Sequence, residues 1–316
     1  MKLVSSGRLR AIGVLGMNER NAQYIQRYNS RRLYPLVDDK LRTKELALKA
    51  GIAVPELFGV IASQHDAQQL TGIADRQHDF VIKPAQGAGG DGILVVSGRS
   101  ARKRGVYRLI DGNYISDAGL RYHVSNILSG QYSLAGTRDR AMVEYCVKAD
   151  PFFESVTYQG VPDIRVLVFR GFPAMAMVRL PTRRSHGKAN LHQGAVGSGI
   201  DLAKGLTMSG VMANEIVHEH PDTGASIAGH TIPGWDHCLS VAARCYDLTG
   251  LGYLGVDIVL DKTHGPLILE LNARPGLNIQ IANEAGLKKR FDKIEKMPDN
   301  YGVAERIAAV RESFAA

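Results

Sequence analysis

The most restrictive feature of this chain is a lysine that precedes a glycine cluster, with a strand pattern on either side. Phe80-Val81-Ile82-Lys83-Pro84 reads as a buried strand, Gly87-Ala88-Gly89-Gly90-Asp91-Gly92 follows, and residues 92–96 read as a second strand. The cluster spells G-x-G-x-x-G. A dinucleotide fold, however, needs a helix to open on the last glycine so that its N-terminus can hold a pyrophosphate. A P-loop needs its lysine after the glycines, followed by Ser or Thr. Neither context is present. What remains is a strand–loop–strand flap. Its bare amides at Gly87, Gly89 and Gly90 can close on a phosphate, with Lys83 as a point charge beside them. A flexible hairpin without a ligand is the alternative.

A second cluster lies near the C-terminus. Asp257 sits in Gly255-Val256-Asp257-Ile258-Val259-Leu260, and Glu270 and Asn272 sit in Leu267-Ile268-Leu269-Glu270-Leu271-Asn272. Residues two apart on a strand share a face, so Glu270 and Asn272 point one way and Leu269 and Leu271 the other. If the two strands pair, Asp257 joins that face. Three hard oxygen donors suit Mg²⁺, which keeps waters and takes further ligands from substrate phosphates. The alternative is an edge strand with its polar face in water. Asn272-Ala273-Arg274-Pro275-Gly276 then turns the chain and places Arg274 near the cluster.

Around these motifs the sequence is that of an ordinary globular protein of 316 residues, 45% hydrophobic, without a repeat or low-complexity tract. Thirty-nine Lys and Arg against 31 Asp and Glu give a net charge of +8, which favours an anionic partner without choosing one. The cysteines Cys146, Cys238 and Cys245 are sparse and lack C-x-x-C spacing, which argues against disulfides and zinc. Lys2, Arg8 and Arg10 precede no apolar leader core, and no run approaches a membrane span, so a cytoplasmic setting is the default expectation. Helices are expected over 39–50, closed by Gly51, and over 117–128, 235–248 and from 282 onward. Strands are expected over 141–147, 163–170, 173–180, 255–260 and 267–271. Strands and helices mix without a βαβ rhythm, which gives an α+β class. His218 and His220 are expected on a wet strand face rather than in a metal site.

Taken in order, these pieces resemble the ATP-grasp superfamily, and within it the RimK-like α-L-glutamate ligases. The matching segments are Asp38-Asp39-Lys40, Val81-Ile82-Lys83-Pro84 with its flap, Val143-Glu144-Tyr145 and Asp163-Ile164-Arg165. After them come Asn190-Leu191-His192-Gln193-Gly194, Val256-Asp257-Ile258 and Leu269-Glu270-Leu271-Asn272. The resemblance implies an ATP-grasp fold with two α+β subdomains gripping ATP between them and a truncated N-terminal segment. Its expected parts are a short segment over 1–37, a flap-bearing subdomain over 38–147, a metal-bearing subdomain over 148–281 and C-terminal helices over 282–316. It implies that Lys40 and Lys83 reach the ATP phosphates and that Glu144 and Tyr145 form the adenine hinge. Asp163 would contact the nucleotide, and Lys188 and Asn190 would line its phosphate side. Asp257, Glu270 and Asn272 would hold Mg²⁺, as two ions, with Mn²⁺ an acceptable substitute. Arg165 and Arg179 would hold an acyl phosphate or a substrate carboxylate, and Arg274 would be a catalytic residue beside the metal–phosphate centre.

The activity implied is ATP-dependent, ADP-forming carbon–nitrogen ligation. It would join a carboxylate, such as an amino acid, to an amine on a peptide, protein or small molecule, with an acidic acceptor favoured by the net charge. Two departures bear on this: few residues precede Lys40, and the 148–161 stretch is longer than the family pattern. A small-molecule phosphotransferase on the same fold is one alternative. A basic polyanion-binding module with a vestigial ATP site is the other. Retention of Lys83, Asp257, Glu270 and Asn272 argues against that module, and no aromatic-interleaved basic strand of the RNA-binding type is present. A homo-oligomer is compatible with the sequence and not specified by it.

Overall fold

A computed structural model describes residues 5–87, 89–133 and 136–314. Ala88 of the glycine cluster and Lys2 of the basic opening segment lie outside the described residues. The chain forms two α+β units, each built on its own antiparallel sheet. Among the described residues no helix is long and apolar enough to cross a membrane.

The smaller unit takes residues 39–44 and 54–147. Its strands are β1 (Leu57–Ile61), β2 (Phe80–Pro84), β3 (Leu94–Arg99), β4 (Val106–Leu109), β5 (Tyr114–Ser116) and β6 (Ala141–Glu144), in the order β1-β6-β2-β3-β4-β5. Helix Asp117–Leu128 starts where the sequence suggests: Ser116 caps it by accepting from the Gly119 amide at 3.2 Å. Its apolar positions Leu120, Val124 and Ile127 are fully buried against Phe80, Ile82, Val96 and Tyr107. The opposite face of β2 and β6 carries Lys83 and Glu144, because side chains alternate along a strand. β3 begins at Leu94, later than the glycine pattern suggests, because Gly92 is held at φ +73° and still belongs to the turn. β6 stops at Glu144, since the chain turns away to pair the Tyr145 amide with the Glu56 carbonyl at 2.8 Å.

The larger unit takes residues 5–38, 45–53 and 148–314. Its strands are β7 (Asp163–Phe169), β8 (Phe172–Leu180), β9 (Val196–Ile200), β10 (Thr207–Met212), β11 (Glu215–Val217), β12 (Tyr253–Asp261) and β13 (Gly265–Asn272), in the order β11-β10-β9-β8-β7-β12-β13. β7, β8 and β12 are buried almost throughout, and helices cover the sheet. The amphipathic helix Trp235–Thr249 buries Trp235, Cys238, Leu239, Ala242 and Cys245 and ends at Gly250 with φ +69°. Trp235 donates from its indole to the Leu202 carbonyl at 2.9 Å, so its one polar atom is satisfied inside the core. Burial pushes the Cys238 and Cys245 thiols up to about 12, leaving both inert.

Residues 20–28 pack into the larger unit. Tyr24 stacks with Phe169 and Phe291 at centroid distances of 5.5 and 4.7 Å, and Phe169 meets Phe291 at 4.5 Å. Tyr253 completes the cluster 5.9 Å from Phe291. This aromatic knot joins the opening segment, two central strands and helix Lys288–Ile294. Phe291→Ala is therefore expected to lower the stability of the larger unit by roughly 3–5 kcal/mol, and Phe291→Leu by less. Urea denaturation followed by tryptophan fluorescence measures both. A loss below about 1 kcal/mol for the alanine variant would show that the knot does not hold this unit together.

Candidate functional site

In the smaller unit the pairing of β2 with β6 brings Lys83 and Glu144 onto one face, and both are nearly inaccessible. Helix Lys40–Lys49 adds Lys40 and Lys44, which share a helix face because they are four apart. Asp39 starts that helix, accepting from the Leu41 amide at 3.0 Å, and is braced by Arg140 at 2.5 Å. Glu144 takes an ion pair from Lys83 on one oxygen and from Lys44, at 3.1 Å, on the other. Lys44 also donates to the Pro55 carbonyl, and Lys40 donates to the Gly87 carbonyl at the root of the flap. Burial lowers the Lys44 pKa, Glu144 opposes this, and the charge on Lys83 adds to it. Two buried ammonium groups thus share one carboxylate. The surplus positive charge is costly in a dry site until an anion arrives.

Lys83 is therefore found on Glu144, and Glu144 lies between two lysines. Lys44 was not singled out from the sequence, although its position four residues after Lys40 carries the signal. Tyr145 is half-buried immediately beyond Glu144.

The flap is a hairpin between antiparallel β2 and β3, with Phe80 opposite Val96 and Ile82 opposite Leu94. Gly89 and Gly90 have φ of +67° and +81°, which side chains rarely adopt. Gly87 is glycine for another reason: a Cβ there would lie 2.3 Å from the Pro84 ring. No helix opens after Gly92, so any anion held here is held by loop amides and lysines.

In the larger unit strand register assembles the charges. Asp163 lies opposite Arg179, Arg165 opposite Asp257, and Asp257 opposite Glu270, so these side chains share one face of β8, β7, β12 and β13. Arg165 donates to both Asp257 oxygens, at 2.7 and 2.5 Å. Arg179 grips Asp163 with two nitrogens and reaches Asp257 Oδ2 at 2.8 Å. Burial would raise the Asp257 pKa, but the two guanidinium groups outweigh it and hold the group at about 2. Asp163 has a smaller share of the arginines; burial, with the Asp257 charge, pushes it up to about 6 against their pull.

Two aspartates and two arginines make a closed, neutral network, and each arginine keeps its Nη1 group outside it. Glu270 is half-buried and makes no hydrogen bond or ion pair with any described residue. Asn272 Oδ1 accepts from the Arg274 amide at 2.8 Å. The Arg274 side chain turns elsewhere, 5.2 Å over the Tyr34 ring and 3.6 Å from Asp38. It does not join the Arg165–Arg179 cluster.

Among the described residues no three His, Cys, Asp or Glu side chains gather as a self-sufficient metal cage. The donor set still fits Mg²⁺, which needs only one or two carboxylates when phosphates supply the rest. Glu270 is open, Asn272 adds an amide oxygen on the same face, and Asp257 Oδ1, which accepts a single guanidinium bond, retains a lone pair, whereas Oδ2 accepts two.

Lys188 and Asn190 lie in the 181–195 loop, Lys188 exposed and Asn190 half-buried. Asn190 caps the short turn Leu191–Gln193 by accepting from the His192 amide at 3.0 Å. The 148–161 stretch packs against this loop. Tyr158 donates to the Pro181 carbonyl at 3.1 Å, and a Cβ on Gly160 would fall 1.9 Å from the Gly187 carbonyl. His220 corrects an expectation, since it is buried rather than wet. The chain leaves β11 at Val217 and turns inward, placing His220 Nε2 3.0 Å from the Pro181 carbonyl. His218 remains exposed.

Curated relatives include a probable alpha-L-glutamate ligase from Maridesulfovibrio salexigens, 24% identical over 241 residues, and one from Klebsiella pneumoniae, 26% identical over 239 residues. Each alignment covers 76% of this chain and 56% of the relative, so the chain spans little more than half their length. Similar solved structures include the ATP-grasp ligase PsnB with a minimal precursor, with TM-score 0.47, 15% identity, and coverage of 84% of this chain and 61% of that one. The D-alanine–D-alanine ligase of Bacillus anthracis with ATP gives TM-score 0.45, 13% identity, and 89% and 69% coverage. A family model for sugar-transfer associated ATP-grasp proteins matches residues 19–296, and the chain belongs to that family.

Proposed function

We propose that this chain is an ATP- and Mg²⁺-dependent, ADP-forming ligase that joins a carboxylate to an amine. The observation that carries the reading is the row of charges across β8, β7, β12 and β13. Arginines lock Asp163 and Asp257 in place, while Glu270 is left as an uncompensated carboxylate beside Asn272. A family defined by ATP-grasp, and relatives named as glutamate ligases, support an amide-forming reaction.

In this reading Lys40, Lys83 and the amides of Gly87, Gly89 and Gly90 take the nucleotide phosphates, and the chain beside Glu144 and Tyr145 takes the base. Lys44 keeps Glu144 neutralised when Lys83 turns to phosphate. Glu270, Asp257 and Asn272 would hold Mg²⁺, which supplies charge neutralisation at the phosphates when bound. A substrate carboxylate oxygen attacks the γ-phosphorus, the bond to ADP breaks, and an acyl phosphate forms. An amine then attacks the acyl carbon, orthophosphate leaves, and the nitrogen loses a proton. The free Nη1 groups of Arg165 and Arg179 are suited to the acyl phosphate or the carboxylate, with Asp163 fixing Arg179. The loop bearing Lys188 and Asn190 is assigned to the phosphate side. No side-chain nucleophile is required; the protein positions reactants and offsets negative charge.

The direct test is ADP and phosphate release with Mg·ATP across a panel of amino acids, peptides and glycan-derived amines, with product masses read in the same tubes. A mass gain equal to the acid less water is the expected result. A product heavier by a phosphate would instead identify a phosphotransferase. Glu270→Ala is expected to lower ADP formation by on the order of 100-fold or more while leaving the circular dichroism spectrum unchanged. Unchanged turnover would remove the metal assignment. Lys44→Met leaves the Glu144–Lys83 pair intact but confines Lys83 to it. ATP affinity should fall roughly tenfold, from the loss of one charged contact, with little change in the melting temperature. Nucleotide titration and thermal melts read the two effects separately, and undiminished affinity would exclude this role for Lys44.

A further inference from the structure

The β3–β4 connection of the smaller unit reads Arg99-Ser100-Ala101-Arg102-Lys103-Arg104-Gly105, and Arg108 follows on β4. It plays no part in the chemistry proposed above. Four cations in seven residues would ordinarily be a solvated, mobile turn. This one is anchored at both ends. Arg99 donates to Asp75 at 3.0 Å and to the carbonyls of Gln77, at 3.1 Å, and Ala74. At the other end Gly105 accepts from the Asp117 amide at 2.9 Å, and its φ is +69°. A Cβ on Gly105 would lie 2.5 Å from the Asp117 carboxylate, so no other residue fits without a shift. That carboxylate is itself fixed by the Tyr107 hydroxyl at 3.0 Å. Between the anchors Ser100 donates its amide to the Val106 carbonyl at 2.9 Å and accepts the amides of Arg102 and Lys103 on Oγ, both at 3.3 Å.

The anchoring neutralises one neighbouring acid, Asp75, and holds the other, Asp117, in place by a neutral hydroxyl. Asp75 is taken by Arg99 and Asp117 by Tyr107, while Arg102, Lys103, Arg104 and Arg108 are exposed and form no ion pair with any described residue. A cavity of about 330 Å³ opens among Arg99, Ser100, Arg102, Lys103 and Arg104. Its volume is at the small end of ligand sites. Such a cavity has room for a phosphate with a sugar-sized body. Guanidinium forks bind phosphate oxygens in pairs, and a loop whose backbone is already held through Arg99, Ser100 and Gly105 has only its side chains left to order when a ligand arrives.

We propose that this loop is a binding site for a small phosphate monoester, separate from the ATP chemistry. The site lies wholly within one unit and stands or falls independently of the ligase reading. The test is a titration of the isotopically labelled full chain with orthophosphate, and in parallel with a hexose monophosphate, at pH 7.5, where the phosphate is largely dianionic. Amide shifts are followed by NMR, which localises binding and separates it from the flap. Saturable shifts at residues 100–105 are expected, tighter for the ester than for orthophosphate. In Arg102→Ser/Arg104→Ser the affinity should fall at least tenfold, with the amide spectrum elsewhere unchanged. Shifts no larger than those from sodium chloride at equal ionic strength would overturn the site. So would equal affinity in the double variant. Binding to phosphatidylglycerol vesicles without a saturable response to either small phosphate would also overturn it, in favour of a lipid-facing loop. The wild-type titration decides the matter even if the double variant proves unstable.

Discussion

Carboxylates and guanidinium groups placed among fully buried strands are tolerable only when each meets its counter-charge with good geometry, and in the larger unit strand register guarantees that meeting. Asp163 and Arg165 stand two apart on β7, so they project from the same face, one toward Arg179 on β8 and the other toward Asp257 on β12. A slip of one residue in any of these pairings would turn the charges into the apolar core and Ile164, Val166 and Val256 out of it. The network and the hydrophobic faces of β7 and β12 therefore specify the same alignment. Glu270, carried into line by the pairing of β12 with β13, is the one carboxylate in the row that this arrangement leaves without a guanidinium. The open oxygen donor is thus a consequence of how the neighbouring charges are closed.

The smaller unit shows the opposite imbalance. Glu144 cannot neutralise both Lys44 and Lys83.

Much of this was legible in the sequence where the signals were local. The helix Asp117–Leu128 is announced by Ser116, and the end of the helix Trp235–Thr249 by Gly250. The flap follows from a lysine before the glycines and a strand after them, and the common face of Glu270 and Asn272 from their spacing alone. Legibility failed where partners were remote. Glu144 was readable as part of a strand but not as the shared counter-ion of Lys44, one hundred residues away. Arg274 sits close in sequence to Asn272, yet its long side chain found Tyr34 and Asp38 instead. His220 carries a strand-like spacing from His218, but a turn after β11 buries it. The aromatic knot around Phe291 draws on residues from both ends of the chain.

By itself, then, the order of residues determined the main strands and helices and the exclusion of Rossmann and P-loop geometry. Those properties depend on dihedral preferences, alternation and caps, which act within a few residues. Only the tertiary structure decided which charges neutralise one another and which are left open. It paired Arg165 and Arg179 with Asp257, put Lys44 beside Glu144, and left Glu270 and the Arg102–Arg104 loop without counter-ions among the described residues. Electrostatic pairing in a low-dielectric interior is governed by distances of a few ångströms between distant segments, and strand register, rather than spacing along the chain, sets those distances.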